Sequence, residues 1–358
     1  MSIRLKSILR GVTGILLALL FLFLAFRGSD LEKLESSLEG ANYFWAFLAI
    51  PCLFISNIFR AWRWRYLLDP IKKDISFRNL FSSVMIGYMV NNALPRVGEV
   101  VRPYNLGRLE GISKSAAFGT VLVERILDIL TFLLCLAVIF LFYWKSLIQV
   151  FPWLGAASII AAIMTLGIFG IFAFLLGRRE LAFRWVRRLT KPLSPALGQK
   201  AEKLLHSFLD GFLVITRPRQ YLMIIGQSIV IWFWYVLMMY FPFYAFGMVR
   251  DYSLDFGTAI VITVISSIGF IIPVPGATGT YHWVTRECLS RLFGVNVEVA
   301  LTYATVTHIL GFVSVTLVGL VYFLRDHLKF SEALRAKDGN EIGGGLAPEE
   351  NPKQHQTR

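Results

Sequence analysis

A chain of 358 residues with 56% hydrophobic and only 16% charged side chains carries more apolar surface than a soluble domain encloses, since globular proteins run at roughly 45–50% apolar and about 25% charged. The formal net charge of +13 does not point to nucleic acid, because no basic face sits on a soluble module; Lys and Arg collected in cytoplasmic loops during membrane insertion account for it. Cys52, Cys135 and Cys288 stand in or beside apolar stretches with no CxxC spacing, which indicates neither a disulfide framework nor a zinc site.

Apolar runs follow one another at 11–26, 42–59, 79–95, 115–143, 152–176, 219–247, 255–272 and 298–324, most of them near or beyond the ~20 residues of a bilayer-spanning helix. Arg4, Lys6 and Arg10 precede the first run as in a signal peptide. Bulky Phe26 and Arg27 stand where small residues would be required, so the run is expected to stay as an anchor helix. Asp30, Glu32, Glu35 and Glu39 against a single Lys33 give the next segment no positive-inside signal and place it outside. Arg60, Arg63, Arg65, Lys72, Lys73 and Arg78 after the second run, and Arg178, Arg179, Arg184, Arg187, Arg188 and Lys191 after the fifth, mark two cytoplasmic clusters. Within the first cluster, Trp62-Arg63-Trp64-Arg65 reads as a membrane-interface anchor.

If every run crossed once, these two clusters would lie on opposite sides, because three runs separate them. The conflict disappears if 77–110 dips into the membrane and returns to the same side. Residues 79–95 end in Asn91, Asn92 and Pro95, and 98–110 carry Glu99, Arg102, Pro103, Asn105, Arg108 and Glu110, a backbone tolerated at membrane depth only inside protein or beside a water-filled cavity. Residues 272–280, with Pro273, Pro275, Gly276 and Gly279, form a second break that no helix continues through. A segment at 181–216 places Phe183, Trp185, Leu189, Leu204, Leu205 and Phe208 among Arg and Lys and is expected to lie on the inner surface. Trp232-Phe233-Trp234-Tyr235 is expected to face lipid or neighbouring helices. The polar stretch from Gly339 to Arg358 reads as disordered.

The chain also resembles itself. A shift of 183 positions aligns Arg108-Leu109-Glu110-Gly111-Ile112 with Arg291-Leu292-Phe293-Gly294-Val295, and 7 of 21 positions from 108 to 128 are identical. In this register Glu99 falls opposite His282. An odd number of crossings between the copies makes them an inverted repeat, the arrangement in which secondary transporters place substrate near the midplane, at broken helices.

Ionisable groups at that depth cost at least about 2.5–3.5 kcal/mol each on insertion scales, so they are expected to be paired or to line an aqueous cavity. Arg96 and Arg102 offer forked hydrogen bonds to a phosphate or carboxylate. Gly98 lets backbone approach a ligand, and the helix starting there presents N–H groups to an anion. Glu99, Glu124 and Asp128 neutralise arginines, bind an ammonium headgroup or carry a proton. The plainer alternative pairs Arg96, Arg102 and Arg125 with Glu99, Glu124 and Asp128, three charges against three, to lock the fold; Arg125 and Asp128 stand one helical turn apart. Arg96 and Glu99, at the break, are the stronger functional candidates. His282 is either a proton carrier or a hydrogen-bonded packing residue, and His308, alone on an apolar helix, reads as packed.

At Asn91-Asn92-Ala93-Leu94-Pro95-Arg96-Val97-Gly98-Glu99-Val100-Val101-Arg102 and at Val123-Glu124-Arg125-Ile126-Leu127-Asp128 the chain resembles the lysylphosphatidylglycerol synthase transmembrane family, the flippase-like membrane region of multiple-peptide-resistance proteins. Pro273-Val274-Pro275-Gly276-Ala277-Thr278-Gly279 resembles the family's Pro-x-Pro-Gly-Gly-x-Gly segment, with Ala277 for the second glycine of the pair and His282 where a family glutamate would stand. The resemblance spans residues 10–330 and implies lipid translocation. Lysyl transfer belongs to a separate soluble domain, for which no room is expected after residue 330.

The expected architecture is all-α: six spanning helices and two re-entrant helical hairpins as an inverted repeat, with copies at 42–176 and 219–324, a basic cytoplasmic segment at 177–218 and a tail at 331–358. The expected function is translocation of a phospholipid or polyprenyl-phosphate lipid at a substrate site of Asn92, Arg96, Gly98, Glu99, Arg102, Glu124, Arg125, Asp128, Pro275, Gly276, Gly279 and His282. Alternatives are a membrane enzyme acting on a lipid-linked phosphate with Glu99 or Glu124 as base, and a non-transporting scaffold for envelope synthesis. No metal or cofactor is expected. The partners are membrane lipids, with a homo-oligomer or envelope-synthesis enzymes as further candidates. The resemblance implies a plasma membrane, and the charge pattern places both termini in the cytoplasm.

Overall fold

The computed structural model describes residues 3–153 and 218–328 continuously, together with 178–190 and scattered positions between 155 and 202. Among them every regular element is a helix and none is a strand. The helices are α1 (Ile3–Phe26), α2 (Leu31–Glu39), α3 (Tyr43–Phe47), α4 (Ala49–Leu68), α5 (Phe77–Ala93), α6 (Gly98–Glu110), α7 (Lys114–Val150), α8 (Arg179–Thr190), α9 (Pro218–Ala245), α10 (Phe256–Ser267), α11 (Thr280–Glu287) and α12 (Val297–Arg325). The stretches Tyr43–Leu68, Lys114–Val150, Leu222–Ala245 and Val297–Arg325 are each long and apolar enough to cross a membrane. Helix α1 meets α2 at 86°. The Asp30 side chain accepts from the backbone N–H groups of Glu32 and Lys33 and so starts the polar α2 in its new direction.

Both broken segments fold back on themselves. In the first, Asn79 donates to Glu110 (2.7 Å), Asn105 donates to Ser83 (3.1 Å) and the Gly98 N–H donates to Asn91 (2.7 Å). Those contacts zip α5 and α6 into an antiparallel hairpin with its ends together and its tip at 94–97. A Cβ on Gly98 would stand 1.9 Å from the Gly87 carbonyl, so this glycine is required for the helices to touch. In the second, Thr285 donates to Ser266 (2.8 Å) and Thr280 to the Gly269 carbonyl (2.7 Å), pairing α10 with α11 around a tip at 270–279.

Helix α12, 29 residues and so ~43 Å long, shows how the hairpins are disposed. Its start follows the base of the second hairpin, with Asn296 N–H donating to Tyr252. Its middle meets both tips: His308 bonds the Gly276 carbonyl, while Asn92 donates to Thr316. At its end, Asp326 accepts from Ser82 and Asn105 at the base of the first hairpin. The hairpins therefore enter from opposite ends of the slab and meet tip to tip, as an inverted repeat requires. The 183-residue register survives in the caps: Gly111 and Gly294 are both left-handed (φ 64° and 67°), and Ser113 and Asn296 cap the helices that follow.

Helix α7 starts beside the base of the first hairpin and brings Tyr143 against Phe293 at the base of the second. Helix α9 runs the same way, from Ser228 beside Arg63 to Ala245 beside Asn42. The apolar run 152–176 lies between α7 and α9 in the sequence. Most of that run is outside the described residues, as are Leu204, Leu205, Phe208 and everything from residue 329 onward.

Candidate functional site

Arginines 60 and 63, three apart on α4, are buried to 5% and 1% exposure and face Glu124 and Asp128, four apart on α7. Arg60 Nη1 lies 2.8 Å from Glu124 Oε1 and 2.7 Å from Asp128 Oδ2. Arg63 pairs with Asp128 and lies 3.5 Å from Glu124. Helix α6 adds Arg102, 2.8 Å from Glu124 Oε2, its guanidinium 3.8 Å above the Trp64 ring. Arg125 lies 3.1 Å from Asp128, 3.3 Å from Glu124 and 3.5 Å from Glu99. Hydroxyls complete the shell, Tyr235 accepting from Arg60 (3.0 Å) and Ser228 from Arg63 (2.9 Å). Charges this deep persist only where the partners are close and numerous.

Arg60 and Arg63 are a correction to the loop cluster expected from charge. The apolar run ends at residue 59, but the helix continues to Leu68 and carries both arginines inward. Trp64 is likewise no interface anchor: it is fully buried and donates to Thr120 Oγ1 at 2.9 Å. The signal that marks the site is the arginine pair at i, i+3 on one span matched by a carboxylate pair at i, i+4 on another.

This network is the floor of a cavity of about 1250 Å³. Arg60, Arg96, Glu99, Arg125 and Asp128 face it, and the walls include Phe118, Phe132, Leu136, Trp232, Phe270 and Phe312. Its lining comes from the first part of α4, from Phe118 and the part of α7 beyond residue 124, from the second half of α9, from Thr263–Ile271, from the tip region of the first hairpin and from the middle of α12. The cavity thus extends from the floor mainly toward the second hairpin. Below the floor, toward the first hairpin's base, Trp64, Leu67, Leu80, Leu106, Val121 and Ile224 pack into an apolar cluster. On the second hairpin's side the cavity is flanked by a further packed cluster that includes Leu147, Phe151, Phe243, Val261, Ile265 and Tyr303.

The sequence-predicted residues separate into three groups. Asn92, Arg96, Glu99, Arg125, Asp128 and Gly276 line the cavity. Arg102 and Glu124 stand behind the floor, buried to 4% and 0% exposure. Gly98, Pro275, Gly279 and His282 face neighbouring helices: a Cβ on Gly279 would meet the Leu22 backbone of α1 at 2.6 Å, and Pro275 lies against Gly14 of the same helix. The Gly98 N–H, expected to meet an anion, is taken by Asn91. His282 accepts from Gly279 N–H (3.3 Å), so it holds the second tip. His308, read as packed, lies 4.6 Å from it ring to ring and lines the cavity. Trp232 and Tyr235 line it as well, in addition to packing on a neighbouring helix, one of the two roles expected, with Trp232 stacking on Phe132 of α7.

Arg96 differs from the other arginines. It sits at the tip of the first hairpin in the left-handed region, φ 67°, a conformation a non-glycine residue holds only where its surroundings fix it. No carboxylate among the described residues lies within ion-pair distance of it.

The family profile described as the lysylphosphatidylglycerol synthase TM region matches residues 11–319. A UPF0104 membrane protein of Methanothermobacter thermautotrophicus is 26% identical over 299 residues, covering 80% of this chain and 87% of that protein. A UPF0104 membrane protein of Pyrococcus horikoshii is 24% identical over 335 residues, 90% of this chain and 97% of that protein. One from Methanocaldococcus jannaschii is 27% identical over 192 residues, 52% of this chain and 55% of that protein. No solved structure matches the chain.

Proposed function

The chain belongs to the lysylphosphatidylglycerol synthase TM region family, and we propose that this multi-pass membrane protein moves a lipid with a charged headgroup from one leaflet to the other. The observation that carries the proposal is the cavity: its floor is charged, its walls are apolar, and it lies where two inverted hairpins meet. A headgroup rests on the floor while its tail stays among apolar side chains, and the packed cluster beneath supplies the barrier that an alternating carrier opposes to free passage. The basic residues Lys72, Lys73 and Arg78 follow α4 on the first hairpin's side, and the acidic α2 lies on the other. The first side is therefore cytoplasmic, with α1 beginning and α12 ending there, in a plasma membrane.

An enzymatic reading with Glu124 as base is disfavoured because that carboxylate is enclosed by Arg60, Arg63, Arg102 and Arg125 and does not line the cavity. The test is movement of fluorescent phospholipids and polyprenyl phosphates between leaflets of proteoliposomes, with and without a proton gradient. Wild-type protein is expected to move at least one lipid class and the Arg96→Ala variant to lose that movement. A broad panel that never moves defeats the translocase.

A further inference from the structure

Charge balance at the floor narrows what the cavity takes. Glu99, Glu124 and Asp128 bring three negative charges, which Arg96, Arg102 and Arg125 would cancel. The structure adds Arg60 and Arg63 from α4, each in contact with both Glu124 and Asp128. Five guanidinium groups then stand against three carboxylates, two positive charges in excess, inside an apolar-walled cavity. One of the five, Arg96, has no carboxylate partner among the described residues, and it faces the cavity. Arg60 and Arg125 line the same cavity, and their Nε atoms are buried without a hydrogen bond, that of Arg125 lying 3.5 Å from Glu99. Among the described residues the far end offers no compensating carboxylate: Thr263, Ser266, Ser267, Tyr281, Thr307 and His308 line it.

We infer that the lipid held here is anionic at its headgroup, its charge carried as a phosphate that Arg96 grips from the hairpin tip while Arg60 and Arg125 face it from the floor. The inference rests on the translocase reading for its lipid and on the charge count for its sign. A phosphate monoester, with up to two negative charges, brings the layer to neutrality. A guanidinium is suited to it because its planar fork presents parallel donors to two oxygens. A lysyl or choline headgroup would add positive charge to a layer already in excess, at a depth where like charges are poorly screened. The free position of Arg96 assigns it first contact, since no internal ion pair has to break before it binds.

The experiment measures both binding and leaflet exchange with purified full-length protein, using short-chain fluorescent phosphatidic acid, phosphatidylglycerol, phosphatidylcholine and lysyl-phosphatidylglycerol, a polyprenyl phosphate, and inorganic phosphate alone. Phosphatidic acid and polyprenyl phosphate are expected to bind best. Arg96→Ala is expected to weaken them about tenfold or more, the loss of one charge-assisted contact. Arg96→Lys, which keeps the charge without the fork, should lie between. Phosphatidylcholine and lysyl-phosphatidylglycerol should be indifferent to either substitution.

If lysyl-phosphatidylglycerol or phosphatidylcholine binds and crosses as well as phosphatidic acid, the anionic assignment falls while the translocase stands. If anionic lipids bind in an Arg96-dependent way but none crosses, the assignment stands and the translocase falls. If inorganic phosphate itself enters vesicles and no lipid moves, the ligand is free phosphate and the lipid assignment is overturned.

Discussion

Replacing Glu124 by glutamine keeps the shape of the side chain and removes one charge from the centre of the network. Its carboxylate lies 2.8 Å from Arg60, 2.8 Å from Arg102, 3.3 Å from Arg125 and 3.5 Å from Arg63. With glutamine there, five guanidiniums face two carboxylates, and Arg102 is left with no carboxylate within ion-pair distance among the described residues. Removing one partner of a buried pair costs about 3–5 kcal/mol. At the roughly 2 °C per kcal/mol of large domains, the apparent unfolding midpoint in detergent should fall by about 6–10 °C. The double substitution Glu124→Gln/Arg102→Met restores the original excess of two positive charges and should recover more than half of that loss, a coupling that a double-mutant cycle measures. Arg96→Ala, at a side chain without an ion partner, should stay within about 0.5 kcal/mol of wild type. If Glu124→Gln unfolds within about 2 °C of wild type, or if Arg96→Ala falls as far as Glu124→Gln, the division between a structural floor and a free binding arginine is wrong.

The same geometry predicts that Gly98→Ala, whose Cβ would overlap the Gly87 carbonyl, abolishes folded protein by size-exclusion profile, whereas Gly111→Ala, with open space but φ 64°, costs only about 1 kcal/mol. A cysteine at position 96 in a background without Cys52, Cys135 and Cys288 should react with a water-soluble maleimide added from the second hairpin's side. A cysteine at position 124 should stay unlabelled until the protein is denatured. At the base of the first hairpin, burial raises the Glu110 pKa, but donors from Lys72 (2.7 Å), Asn79 (2.7 Å) and the Ser76 N–H (3.1 Å) outweigh it and hold the carboxyl below its ordinary range. Its contribution is therefore complete above the ordinary glutamate pKa of about 4.3 and disappears as pH falls below it. Wild type should lose thermal midpoint as the pH falls below about 4.3, and Glu110→Gln should start lower and lose less.

The hairpins were legible because polar residues and breakers interrupt runs otherwise apolar enough to span, and because basic clusters on one side demand an even number of crossings between them. The repeat was legible from pairs such as Gly111 with Gly294, where a left-handed cap leaves little choice of residue. Arg60 and Arg63 were hidden by the same positive-inside logic that pointed to the first hairpin: three arginines within six residues look like a loop edge. Hydropathy cannot show that α4 continues about two and a half turns past its apolar run. The glycines misled in another way. Gly98 and Gly279 are sites of close approach, but what approaches is the Gly87 carbonyl and the backbone of α1, and a sequence does not distinguish a ligand from a neighbouring helix.

Any route from the cavity to the first hairpin's side has to pass the charged floor, and the floor is not equally strong throughout. Arg60 and Arg63 each reach two carboxylates and a hydroxyl, on α7 and α9, so α4, α7 and α9 are joined at one point by several short contacts. Arg102, on α6, reaches Glu124 alone among the described carboxylates, and its Nε is buried without a hydrogen-bond partner. With the longer Glu99–Arg125 pair at 3.5 Å and the Arg102–Trp64 contact, it forms the charged link between the first hairpin and that group of three helices. The hairpin's own base is fastened to α12 through Asp326, which accepts from Ser82 and Asn105. Opening the charged link would free the first hairpin against α4 and α7, while α12 stays tied to α9 by the Tyr303 hydroxyl, which donates to the Met239 carbonyl at 2.7 Å. The first tip, with Arg96, would then shift relative to a floor that stays whole, and under the proposed translocase a headgroup resting on that floor would meet a different surface without its charged support being dismantled.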